Sequence, residues 1–127
     1  MQDGLGRVRL GRPRLLRRGH RPPWVTSTDR QVIEIHPEVS FATMAGRHMA
    51  HPKSTWAGTE ERKQALAAHG IVVPAQLGLA GRRAAVDDVL DAAAACWSTA
   101  RFCAGEAVSY PDPPERFDDG IPAAIWA

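Results

Sequence analysis

The chain has little cysteine and no long apolar run, and each absence narrows what it can be. Cys96 and Cys103 are its only two cysteines among 127 residues. They lie seven residues apart in a segment of helical composition, so they stand roughly 10 Å apart along the axis, beyond disulfide reach. The expectation is a pair of reduced core thiols and a cytoplasmic setting. No stretch approaches the roughly 18 apolar residues that span a membrane. Residues 1–21 lack the apolar centre of a secretory signal. They are Arg-rich and acid-poor like a transit peptide, but their Pro and Gly oppose an amphipathic helix. Acids are also scarce there. Residues 1–22 hold Arg7, Arg9, Arg12, Arg14, Arg17, Arg18 and Arg21 against Asp3 alone, net +6, whereas the remainder has nine basic and thirteen acidic residues, net −4. No aromatic residue interleaves these arginines before Trp24, and neither apolar periodicity runs through residues 1–29. That segment reads as a basic Arg/Gly/Pro arm without a fold of its own. It is either a solvated tail or a salt-sensitive grip on phosphates.

What is present begins at Val32-Ile-Glu-Ile-His-Pro-Glu-Val-Ser-Phe41. Val32, Ile33 and Ile35 suit a pleated strand, and His36 is kept extended by Pro37, which is well placed to start a helix. Alternation puts Ile33 and Ile35 on one face and Val32, Glu34 and His36 on the other. Glu34 is an acid inside an apolar strand. On a central strand its carboxylate needs a cation or donors beside it; on an edge strand it stands in water. A short helix over residues 37–45 follows, closed by Gly46, with Val39, Phe41, Ala42 and Ala45 facing inward and Glu38 in its first turn. Residues 47–58 read as a loop in which Lys53, Ser54 and Thr55 can meet a phosphate. His48 and His51 lack the second tight pair that a metal site would show. Thr59 is the expected cap of the next helix, ended by Gly70. That helix has a thin apolar face of Ala65, Leu66 and Ala68, suited to the surface of a sheet, and Ile71 to Val73 read as a short buried extension.

Residues 86–104 make the longest expected helix, Ala-rich and ended by Gly105. Val86, Leu90, Ala93, Trp97, Ala100 and Ala104 form its expected buried stripe. Asp87, Asp88 and Asp91 gather beside the stripe at spacings of three and four. Asp87 also reads as a cap and Asp88 as a partner of the helix dipole, which leaves Asp91 without a purely structural role. The last segment is rich in Pro and Asp and ends in a short strand through residues 124–126.

Taken together, the strand acid, the two acids three apart on a later helix, Lys53 with Gly58 and Glu61-Arg62, Gly70-Ile71, Pro111-Asp-Pro-Pro114 and Ile125-Trp126 occur in one order. Over residues 30–127 this resembles the prokaryotic family catalogued as domain of unknown function 429, described as predicted nucleases with an RNase H-like fold. The resemblance implies an α/β, partial RNase H-like domain. It implies Glu34, Asp88 and Asp91 as catalytic acids holding Mg²⁺ or Mn²⁺, and Glu38, Lys53 and Arg62 as substrate-binding residues near the scissile phosphate. Two metal ions there would activate water and stabilise the leaving oxygen. The family's first strand, with its Asp, has no counterpart before Gln31, and Asp3 lacks a strand around it. The expectation is therefore the later part of such a domain behind an unrelated lead, short of one acid and with exposed sheet edges that favour self-association or a partner. Three functional readings follow. They are a metal-dependent nuclease-like protein, a non-catalytic nucleic-acid or protein interaction module, and a remnant without independent function.

Overall fold

The computed structural model describes residues 32–127, so the basic arm lies outside the described residues. Among the described residues there are three α-helices, α1 (Pro37–Ala45), α2 (Trp56–Ala68) and α3 (Val86–Ala104), with a 3-10 turn at Ala80–Arg82 between the last two. They are followed by a two-stranded antiparallel sheet of β1 (Ser109–Arg116) and β2 (Pro122–Trp126). The molecule is thus mixed α/β, with helices first and a hairpin last.

Pro37 starts α1 as its first residue, and Gly46 ends it at φ 66°, where the Arg47 N–H closes onto the Ala42 carbonyl at 3.2 Å. A left-handed residue at that position favours glycine because it has no Cβ to clash. α2 begins earlier than expected. Thr55, not Thr59, is its cap, and the Thr55 hydroxyl accepts from the Gly58 N–H at 3.0 Å. Residues 56–58, read from sequence as loop, are therefore the first turn. Glycine suits that turn because a Cβ on Gly58 would stand 1.9 Å from the Pro52 carbonyl oxygen.

The core is a helix-on-helix contact. Phe41 of α1, Leu66 of α2, and Leu90 and Ala94 of α3 are fully buried, with Met44, Met49, Ile71 and Val73 packed around them. α2 therefore lies against α1 and α3 rather than on a sheet. Burying each large side chain contributes about 1.5–3 kcal/mol. The stripe of α3 is Leu90, Ala94, Trp97 and Ser98. Val86, Ala100 and Ala104, expected inside, are exposed. The contact has rotated toward Ala94 and Ser98 because small residues let α1 approach, and the Ser40 and Ser98 hydroxyls meet at 2.8 Å in the buried seam. Cys96 and Cys103 are free, as expected, but they lie on the exposed face of α3 rather than in the core. Trp97 closes one end of the helical core, with His69 edge-on to its ring at 5.1 Å and the Arg101 guanidinium over it at 4.8 Å.

Residues 32–35 keep the expected alternation, with Ile33 and Ile35 half-buried and Val32, Glu34 and His36 exposed. They are not the clear strand that the sequence suggests. They make one parallel bridge, Glu34 to Ile125, in which the Trp126 N–H donates to the Glu34 carbonyl at 2.9 Å. Residues 71–73 form no strand either, because no ladder partner lies beside them; Ile71 and Val73 pack on the core instead. The sheet was hidden by proline. β1 holds Pro111, Pro113 and Pro114, which cannot donate to a ladder and argue from sequence against a strand. The ladder runs Ser109↔Trp126 and Tyr110↔Ile125, then resumes at Glu115↔Ala123 and Arg116↔Pro122. Residues 111–114 of β1 thus face Ala124 alone, and the prolines sit in that bulge. Phe102 of α3 meets Trp126 edge-on at 4.8 Å and ties the hairpin to the helices.

Candidate functional site

Asp87 and Asp91 are four residues apart and share one face of α3 near its N-terminus, where the helix dipole favours carboxylates. Lys53 comes to them from the turn before α2. That turn is fixed by Thr55, whose N–H and hydroxyl both donate to the Pro52 carbonyl, at 3.0 and 2.8 Å. The Lys53 ammonium donates to Asp91 Oδ2 at 2.9 Å and lies 3.4 Å from Asp87 Oδ2. The Asp91 hydrogen bond and charge raise the lysine pKa above its ordinary value, with Asp87 adding less and partial desolvation opposing. Asp91 Oδ1 is buried and has no hydrogen-bond partner among the described residues. A buried oxygen left this way costs about 1–3 kcal/mol, so Asp91 holds acceptor capacity that the fold does not use.

Next to this group, the 47–51 loop is held by one carboxylate. Both Glu61 oxygens accept from the Ala50 N–H at 3.0 Å, Oε2 also accepts from the His51 N–H at 3.0 Å, and Arg47 donates to Oε1 at 2.6 Å. The Ala50 amide, then Arg47, then the His51 amide hold the Glu61 pKa down to about 2. Arg62, 2 % exposed, grips Glu38 through two parallel bonds of 2.9 and 2.6 Å. It also donates to the His51 and Gly58 carbonyls and lies over the Phe41 ring at 5.6 Å. Glu38, His48, His51, Lys53 and Arg62 line a hollow of about 470 Å³ between the loop and α1.

The structure therefore brings Lys53 to Asp91, and Glu38 to Arg62, and Lys53, Glu38 and Arg62 share the lining of one hollow. Asp88 points elsewhere: its carboxylate accepts from the Ala85 N–H at 3.4 Å, at the start of α3. Ala85 is the cap position, so Asp87 is not the cap that the sequence suggested. Glu34 lies on the edge segment, and its exposed side chain makes no hydrogen bond or ion pair among the described residues. The donor set does not fit a metal cage in this arrangement. No three His, Cys, Asp or Glu side chains among the described residues come together as a group able to hold a metal ion. No helix among the described residues is long and apolar enough to cross a membrane. The sequence marks Glu61 only as a helix-start acid beside Arg62 and not as the holder of a loop, because its partners include backbone amides, which no spacing pattern records. Asp87 was open to detection, since four-residue spacing with Asp91 places both on one face.

An α3 acid pair bridged by a lysine, beside a buried arginine paired with the more exposed Glu38, defines a polar site at the meeting of three helices in a small α/β protein. The chain belongs to the family described as Protein of unknown function (DUF429), whose model matches residues 12–116. The match takes in part of the basic segment and stops before the end of the hairpin, so its bounds differ from residues 30–127. No curated protein and no solved structure matches the chain.

Proposed function

We propose that this protein is nuclease-like, of the RNase H-like type, and hydrolyses nucleic-acid phosphodiesters with Asp91 as its central acid. The observation that carries the reading is the meeting of Asp91 on α3 with Lys53 from the turn before α2, with one carboxylate oxygen buried and unpartnered among the described residues. Phosphodiester hydrolysis needs positive charge near the phosphoryl oxygens and an acceptor that holds the attacking water. Lys53 supplies the first, and the partly exposed Asp87 and Asp91 carboxylates beside it supply the second. The family resemblance implies Mg²⁺ or Mn²⁺ on Glu34, Asp88 and Asp91. Those three residues do not form one donor group as arranged, so no step is assigned to a metal. The test is cleavage of labelled single-stranded DNA, single-stranded RNA and duplexes by the full chain, with Mg²⁺ or Mn²⁺ added. Cleavage is expected, reduced about 100-fold or more in Asp91→Asn. A second reading, a non-catalytic nucleic-acid module, is supported by Lys53 already engaging both Asp87 and Asp91 as an ion-pair partner. Binding without cleavage of any substrate, equal in wild type and Asp91→Asn, would select it.

A further inference from the structure

Trp56, the first residue of α2, is 91 % exposed. A solvated indole does nothing for the helical core, since the residues that bury α2 are Gly58, Arg62 and Leu66. Trp56 instead forms one wall of a groove of about 600 Å³ between α2, the 73–84 connection and the start of α3. Val73, Leu77 and Val89 supply the apolar floor, and Lys63 and Arg82 stand on the lining, which contains no Asp or Glu. The hollow beside Lys53, by contrast, carries Glu38. Among the described residues Lys63 has one acidic neighbour, Glu60 at 3.7 Å, an exposed pair one turn along the same helix that solvent screens. Both cations are therefore available to an anion. An accessible ring over an apolar slot, flanked by cations and free of lining carboxylates, is the chemistry that holds an unpaired base and its phosphates.

We propose that this groove binds single-stranded nucleic acid, with one base stacked on Trp56 and the adjoining phosphates on Lys63 and Arg82. A peptide or a second copy of this chain would bury the indole equally well but would leave the two cations unmatched unless it were acidic. The place also fits. Val86, Val89 and Leu90 of the groove lie on the same turns of α3 as Asp87 and Asp91, and Lys53 precedes Trp56 by three residues. A strand seated there leads to the acid pair. The assignment deepens the nuclease-like reading and takes its kind of ligand from it, but binding is measured apart from cleavage.

The experiment is a titration of the full chain, without divalent metal, against a fluorescein-labelled oligo(dT) of about 12 nucleotides and against its duplex with oligo(dA). Because the ring makes so little contact with the fold, Trp56→Ala is expected to stay folded. It should weaken single-strand binding about 5- to 150-fold and leave duplex binding unchanged, while Trp56→Phe keeps most of the affinity. Replacing Lys63 and Arg82 together by Ala should lower the slope of log affinity against log salt by about 1.4. Unchanged single-strand affinity in Trp56→Ala, or an equal loss for strand and duplex, overturns the proposal. So does Trp56-dependent dimerisation without an oligonucleotide effect. Trp56-dependent binding without cleavage would uphold the groove while the hydrolase reading fails. Cleavage indifferent to Trp56→Ala, with unchanged binding, would sink the groove alone.

Discussion

Glu61 holds the 47–51 loop through a single carboxylate. Its carboxylate, only 11 % exposed, collects two backbone amides and a guanidinium, so protonating it removes several partners at once. The sign follows from a pKa held at about 2, below the ordinary 4.5. A depressed carboxylate stabilises fully above the unfolded value and loses that contribution as pH falls through the folded one. The 47–51 loop should therefore loosen between pH 4.5 and about pH 2. Hydrogen-exchange protection of the Ala50 and His51 amides is expected to fall across that window. In Glu61→Gln the same amides should be less protected at neutral pH, with no acid transition remaining. Lys53 has the opposite sign. Its raised pKa means that the lysine's contribution is fully present below its ordinary value of 10.5 and fades as pH rises beyond it, so the Lys53 ammonium stays charged under neutral conditions. Both Lys53 and Asp91 stand out in the sequence, one in a loop and one without a structural role. Their contact does not, because periodicity is blind to a bond spanning 38 residues.

Among the elements, α2 shows how a single glycine sets the geometry of the site. The loop reaches the helix so closely that Arg62 donates to the His51 carbonyl at 3.0 Å while Gly58 passes beneath Pro52. Gly58→Ala gains about 1 kcal/mol of helix propensity. Against that stands an overlap with a backbone carbonyl, which cannot swing away as a side chain would, and overpacking costs about 1–3 kcal/mol. The clash should win, giving a net loss of up to about 2 kcal/mol in denaturant unfolding and a displaced Lys53 turn. The helices were legible because their signals are local: Pro37 at the start of α1, Gly46, Gly70 and Gly105 beyond the ends, and an unbroken Ala-rich run in α3. Thr59 misled because Thr55 offers the same capping chemistry one turn earlier. The hairpin was illegible because proline, the usual mark against a strand, is housed in a bulge.

At the scale of the whole molecule, one small core serves all three helices. Phe41, Leu66, Leu90 and Ala94 touch across α1, α2 and α3, so loosening any one should release the others. Leu90→Ala is expected to cost about 2–5 kcal/mol and to lower the midpoint for all three helices together, seen as a single shifted transition by circular dichroism. A variant in which only α3 melted would contradict a shared core. The mixed α/β class was readable in advance, but its layering was not. Apolar runs at 32–35 and 71–73 looked like sheet, yet a strand exists only where a second chain segment lies alongside, and the sequence of one segment cannot report that.

The proline-filled bulge of β1 also gives the sheet a direction. Pro111, Pro113 and Pro114 have no amide hydrogen, so the flank of β1 that pairs with no strand among the described residues is a poor template for another strand. Across the sheet, β2 already accepts residues 32–35 through its single bridge. Any lengthening of this sheet by a further strand is thereby confined to one border, and the fold carries its own stop against stacking on the other.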